Sequence, residues 1–395
     1  MARISPDTLV EALHASPTTA LSRIHSVDFL RGLVMVLMAI DHVRVYSGVP
    51  PGGPEVSVFL TRWVTHFCAP AFAFFAGTSA LLYGVKCGEK SKLVTFLLTR
   101  GLILVVLEIT VVRFFWTFNL NYSEFFLAGV IWMLGWSMVL LAGLVWMRPA
   151  AVGLVGVAII VLQQLFAFVP NAIPAPGREG FSRFWEFIYP SGYESLDGVT
   201  VLYSIIPWIG VMAAGYGFGL IVKANPERRK KICLAIGGTA IGLYIVMATA
   251  WILNNPSAEM PFILQLLNQQ KYPASQLFLM MTLGPIILAV PFVERVRGVV
   301  SDVLVTFGRV PFFYYLMHIL VIHLTALAVN YTMNGSVDHG WYNSAPYVWL
   351  PEEFRWNLPL LYLVFAIDLI ILYALCRWYV GFKSRRADST VLKYI

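Results

Sequence analysis

Charge is what this sequence has least of. Only 12% of its 395 residues are Asp, Glu, Lys or Arg, where soluble domains run near ~25%. Hydrophobic residues make up 58% and mean hydropathy is +0.73, which excludes a two-domain soluble fold and implies a polytopic membrane protein. Cysteine is scarce too. Cys68, Cys87, Cys233 and Cys376 are scattered without a CxxC pair, so neither a disulfide framework nor a zinc site is suggested. There is no HExxH or HxxEH, no GxSxG and no P-loop, and a serine triad or NTPase chemistry is dropped with them. Met1–Ser26 is polar and lacks the apolar core of a signal peptide, so the first span is expected to act as its own insertion signal. No repeat of 20–50 residues stands out.

What is present is a spanning-length stretch that carries charge, Val27–Tyr46 (VDFLRGLVMVLMAIDHVRVY). Crossing a bilayer takes ~20 residues, and a charge at the centre costs at least ~2.5–3.5 kcal/mol on insertion scales. Yet Asp28, Arg31, Asp41, His42 and Arg44 all lie within it. On a helix, Arg31 and His42 differ by only ~20° in direction and ~16 Å in height, with Asp28 on the same side. Asp41 and Arg44 point elsewhere, within ~60° of each other. Snorkelling ends account for Asp28 and Arg31 but handle Asp41 and His42 less well. A functional stripe is the reading adopted.

The fold expected is an all-α membrane protein of about ten transmembrane helices. After Val27–Tyr46 the spans are Val58–Tyr83, Leu93–Val112, Phe125–Trp146, Ala151–Val169, Thr200–Val222, Lys231–Leu253, Pro273–Val293, Val303–Val329 and Leu358–Tyr379. All are expected to be helical, since no alternating barrel pattern occurs. Connecting segments alternate in charge. Lys86–Lys92, Arg148, Lys223–Lys231, Arg295–Arg297 and the tail from Lys383 are basic, and the intervening loops are poor in Lys and Arg. The positive-inside rule then puts both termini in the cytoplasm and makes the net charge of +7 a topology signal rather than a nucleic-acid footprint. The chain divides into a cytoplasmic segment 1–26, a membrane domain 27–382 and a basic tail 383–395.

This topology sorts the intramembrane charges by depth. Asp28, Arg31, Arg100 and Arg309 fall near the cytoplasmic side. Asp41, His42, His66, Glu108, Arg113, His318 and His323 fall in the outer half. Arg62 and His66 share a helix face at i,i+4. Arginine suits phosphate because it offers a bidentate fork, and a histidine among carboxylates suits general-base work. A basic inner layer below a histidine-rich outer one suits chemistry on a molecule held across the membrane. A proton-coupled secondary transporter of a sugar or organic anion would use the same residue types. His42 or His66 with Asp41 and Glu108 could bind zinc, but the spacing of known zinc motifs is missing, and no metal is expected.

The string RIHSVDFLRGLVMVLMAIDHVRVY resembles the first span of the transmembrane acyltransferase superfamily, which includes heparan-α-glucosaminide N-acetyltransferase, its bacterial relatives and the acyltransferase-3 O-acyltransferases. SVDxxRG resembles the heparan subgroup, while Arg31, ten residues and His42 resemble the Arg-x10-His motif of the acyltransferase-3 group. THFCAPAFAFFAGTSALLYG, RGLILVVLEITVVRFFW, IPWIGVMAAGYGFG, NQQKYPAS and GRVPFFYYLMHILVIHL resemble the bacterial branch near the heparan enzyme, extending the likeness from Arg23 to Lys383. The resemblance implies a multi-pass protein of the bacterial cytoplasmic membrane that moves an acyl group, acetyl above all, from cytoplasmic acyl-CoA to an outer sugar-type acceptor. Its implied partners are the bilayer, acyl-CoA and a carbohydrate, with a homodimer compatible. Arg31, with Asp28, Arg309 and Arg100, would hold the CoA end, and His42, oriented by Asp41, would be the base. His66, Glu108 and His318 would polarise the thioester or orient the acceptor, and Arg62, Arg113, Lys271 and His323 would contact the acceptor. One departure matters. The heparan enzyme has asparagine at the position of His42 and places its proposed catalytic histidine in the following outer loop, whereas Ser47–Ser57 here contains none. A ternary complex therefore fits better than an acyl-histidine in that loop.

Overall fold

The computed structural model describes residues 24–50, 55–123, 125–190, 198–256, 260–386 and 389. Most of the segment 1–26, most of the tail 383–395, and residues 51–54 and 191–197 of two loops lie outside the described residues.

Helix α1 (His25–Tyr46) comes first. Next, α2 (Val56–Trp63) runs through a 3-10 turn at Val64–Phe67 into α3 (Cys68–Cys87). A third rod joins α4 (Lys90–Leu107), a π-turn at Glu108–Val112 and α5 (Arg113–Thr117). Strand β1 (Phe126–Ala128) precedes α6 (Val130–Leu144), and α7 (Pro149–Leu162) extends as a 3-10 stretch to Ala172. After α8 (Ala175–Trp185) and β2 (Val199–Val201) come α9 (Ile205–Lys223), α10 (Pro226–Asn254), α11 (Phe262–Leu267) and α12 (Gln276–Val293). The chain closes with α13 (Val299–Arg309), α14 (Pro311–Asn334) and α15 (Leu358–Arg385).

Among the described residues, eight helices are long and apolar enough to cross a membrane. The charge-bearing α1, of 22 residues, and the apolar α6, of 15, occupy the other two expected positions, so the all-α polytopic architecture holds. Two details differ from expectation. The spans Phe125–Trp146 and Thr200–Val222 begin as strands, with β1 and β2 paired in parallel from Phe126–Val199 to Ala128–Val201. Pairing there satisfies backbone groups that no helix covers, where Gly129 turns extended before α6. The expected span Val303–Val329 is two helices broken at Val310. Pro311 has no N–H to continue the ladder and disfavours a helical conformation in the residue before it, so it starts α14 instead.

The bundle closes around α1 and α9. Within its most apolar stretch α9 is 72% buried, against 17% in the α7 rod, which leaves α7 on the outside of the bundle. Close approach depends on glycine. A Cβ on Gly308 of α13 would fall 1.8 Å from the Asp28 carbonyl oxygen, and one on Gly32 of α1 would fall 1.8 Å from that of Leu304. The two backbones therefore touch, which carries Arg309 to the side of Asp28 and Arg31.

Candidate active site

A cavity of about 1090 Å³ opens among α1, α3, α4, α6, α13 and α14. Lys86, Lys383 and Arg386, from helix ends and the basic tail, line one part of it, and Arg31, Arg100, Arg309 and Asp28 also line it. Every residue expected to hold the CoA end thus faces one space, in which, among the described residues, six cations accompany one carboxylate. Arg31 Nη2 donates to the Phe75 carbonyl and to Ser79 Oγ of α3, both at 2.6 Å, which fixes the guanidinium against the wall. Arg100 lies over the Phe96 ring at 5.8 Å, and its buried Nε has no hydrogen-bond partner. Arg309 is exposed at the end of α13. Deeper in, the lining becomes apolar, with Met35, Leu104 and Val130, and Tyr315 among them.

Farther along α1 lies a pair of histidines. His42 Nδ1 is 2.6 Å from His318 Nε2, and the rings stack at 4.8 Å. His318 Nδ1 faces two carbonyl oxygens one turn back on its own helix, Tyr315 at 2.5 Å and Tyr314 at 3.2 Å. Carbonyls only accept, so the neutral His318 carries its proton on Nδ1 and presents a lone pair at Nε2. His42 must then donate through Nδ1, which leaves its Nε2 as the unprotonated nitrogen. His318 is fully buried, whereas His42 is partly exposed. The Trp116 and His42 rings meet edge-to-face, 4.7 Å between centres.

Beyond this pair lies a polar cluster. Asp41 and Lys271 are close enough to both His42 and His66 for their charges to act on each imidazole. His66 sits in the 3-10 turn, where Nδ1 approaches the Arg62 carbonyl at 3.3 Å and the ring leans on Phe278. Lys271 comes from the segment before α12 and lies 5.1 Å from the centre of the Tyr272 ring. Burial alone would lower its ammonium, but the Tyr272 hydroxyl and the Asp41 charge outweigh that and hold it above the usual lysine value.

Residues 23–253, more than half of the chain, match the family of heparan-alpha-glucosaminide N-acetyltransferase, catalytic domain. The chain belongs to this family of membrane acetyltransferases. No curated protein matches it closely. The family match ends before Lys271, Arg309, His318 and His323, although the sequence resemblance extended to Lys383, so those four residues rest on geometry alone.

Within this acetyltransferase fold several expected residues are occupied otherwise. Asp41 was expected to orient His42, but Arg44 Nε and Nη2 donate to its Oδ1 at 3.0 and 2.9 Å, and His318 takes the orienting position. Neighbours on a helix diverge by ~100°, which points Asp41 toward Arg44 rather than toward the adjacent imidazole. Glu108 accepts from the backbone N–H groups of Gly129, Ile131 and Trp132, capping the start of α6, while its Oε2 is buried without a partner. Arg113 was expected to meet the acceptor. Instead its Nε donates to the Phe125 carbonyl, Nη2 to Asn121 and Nη1 to Asn119, with Tyr122 stacked above, so it ties down its own loop. His323 donates from Nδ1 to the Phe115 carbonyl at 2.9 Å and stacks on Phe118 at 3.9 Å, walled off from solvent. Arg62 stays partly exposed beside the 3-10 turn.

Two residues escaped the sequence reading. Tyr315 stands one helical turn before His318, a proximity that reveals nothing until the cavity is seen. Asp368, fully buried in α15 with Oδ1 taking the Thr325 hydroxyl at 2.7 Å, is a carboxylate inside an apolar span, and the depth rule was signal enough to find it.

Proposed function

We propose that this protein is an acyl-CoA-dependent acyltransferase of the bacterial cytoplasmic membrane, with both termini in the cytoplasm. It moves an acetyl-type group to a sugar hydroxyl or amine on the outer side. The single observation that carries this reading is the cavity. Among the described residues six cations face one space large enough for a nucleotide-bearing ligand, since pockets for small molecules run ~300–1,000 Å³, and Tyr315, one turn before His318, lines the same space. Arg31, Arg100 and Arg309 bind phosphates, with charge-assisted bonds that suit a guanidinium. The pantetheine arm lies along the apolar depth, which brings the thioester toward His42.

In the transfer step the lone pair of the acceptor oxygen or nitrogen attacks the thioester carbonyl carbon, and the acceptor's proton passes to His42 Nε2. The tetrahedral intermediate collapses, the carbon–sulfur bond breaks, and its electron pair leaves with sulfur. The CoA thiolate takes the proton from His42 and restores the neutral imidazole. His318 holds His42 in the basic tautomer throughout. Lys271, Arg62 and His66 face the acceptor. Positioning both reactants supplies several kcal/mol of the barrier, and a general base typically adds ~10²–10⁴ in rate.

Acetyl-CoA at a hundred times its dissociation constant should stabilise the purified protein by ~2.7 kcal/mol, read as a rise in Tm. A proton-coupled carrier would ignore acetyl-CoA and respond to its cargo, and an unmoved Tm would turn the reading that way.

A further inference from the structure

The cavity and the histidine pair meet at one residue. Tyr315 lines the cavity with its side chain, while its main-chain carbonyl accepts the His318 Nδ1 proton at 2.5 Å. The indole N–H of Trp116 lies within hydrogen-bonding reach of the Tyr315 hydroxyl, and the same indole meets the His42 ring edge-to-face at 4.7 Å. Tryptophan can only donate, so the phenolic oxygen accepts there and keeps its own proton available. Tyr315 as a whole is 5% exposed, and among the described residues no hydrogen bond from its hydroxyl to an acceptor is found. An O–H donor on the wall of a cavity, one indole away from the base, is placed to meet a carbonyl oxygen held in that cavity.

We infer that Tyr315 donates its phenolic hydrogen bond to the thioester carbonyl oxygen and stabilises the oxyanion that forms there. This rests on the acyl-CoA reading above. Trp116 strengthens the donation, because a hydroxyl that accepts a hydrogen bond becomes a better donor. No atom changes hands at Tyr315. The hydrogen bond shortens as negative charge gathers on the carbonyl oxygen and relaxes when the carbon–sulfur bond breaks. Tyr315 thus serves both halves of the reaction, its side chain polarising the electrophile and its backbone fixing the tautomer relay to the base. Phenylalanine keeps the backbone contact and the ring while removing the donor, which separates the two roles.

The test is isotope-edited infrared difference spectroscopy of acetyl-CoA labelled with ¹³C at the carbonyl, bound to the full purified chain. The bound carbonyl band should move to lower wavenumber than in free acetyl-CoA. In Tyr315→Phe, with binding retained, it should return toward the free position, and turnover should fall by about 10²–10³, the usual cost of one oxyanion donor. Trp116→Phe removes the second hydrogen bond without replacing the tyrosine, and the band should fall between the two. An unshifted band in the wild-type protein, or the same band in wild type and Tyr315→Phe, overturns the inference while leaving the acyl-CoA reading intact. Should Tyr315→Phe fail to fold, the wild-type band and Trp116→Phe still decide. Absence of saturable acetyl-CoA binding in the wild type overturns the underlying reading instead.

Discussion

Arg31 and Arg113 are the same residue in the same kind of place, a helix within the membrane bundle, and the fold uses them in opposite ways. Arg113 turns all three of its guanidinium nitrogens to carbonyls of the loop that follows it and is 2% exposed. Arg31 donates from Nη2 to the neighbouring helix and faces a cavity shared with Arg100 and Arg309. A charge inside a membrane protein is costly, and it can serve to hold a loop or to line a charged cavity. What separates the two cases is where the donors point. Charge in a span identifies candidates, and geometry divides them.

That contrast can be broken or sharpened by substitution, with the largest effect at the base. His42→Ala should lower kcat by about 10²–10⁴ while acetyl-CoA binds as before, measured by CoA release beside equilibrium binding. Normal turnover would remove His42 from the mechanism. Arg31→Ala should weaken acetyl-CoA binding by ~10–150-fold, the equivalent of ~1.5–3 kcal/mol for one charged hydrogen-bonding group, with a modest change in Tm. Arg113→Ala should do the reverse, lowering Tm sharply while the protein that stays folded binds acetyl-CoA normally. If the two variants behave alike, the division between holding and binding arginines is wrong. His318→Ala should lower kcat by about tenfold, one lost hydrogen bond, and His318→Gln should recover part of it because its amide oxygen can accept from His42. Smallest of all, Lys271→Met should weaken the acceptor by about two- to fivefold and leave acetyl-CoA binding untouched.

Much of the fold was legible because a membrane span is a long, local signal. The expected spans correspond to helices, and the errors fall where tertiary structure overrides a run of apolar residues. Val310 is one such place, and Pro311 beside it was the readable warning. The strands at Phe126 and Val199 were not readable, since each is three residues long and exists only because the other is there. In the site, Arg31 and His42 were brought together by spacing along one helix, which sequence supplies directly. The i,i+3 relation of Asp41 and Arg44 was just as visible and already argued against Asp41 as the orienter of His42. The His42–His318 contact joins positions 276 residues apart, and no local pattern carries that. Glu108 shows the remaining limit, because a carboxylate that caps a helix and one that performs catalysis look alike until the backbone N–H groups are placed.

The central claim is that the cationic cavity is an acyl-CoA site, and equilibrium binding of labelled acetyl-CoA to the purified full chain tests it most directly, with wild type, Arg31→Ala and Arg113→Ala measured side by side. The account predicts saturable binding in the wild type and in folded Arg113→Ala, weakened by at least about tenfold in Arg31→Ala. No saturable binding in the wild type, or equal binding in wild type and Arg31→Ala, would contradict it.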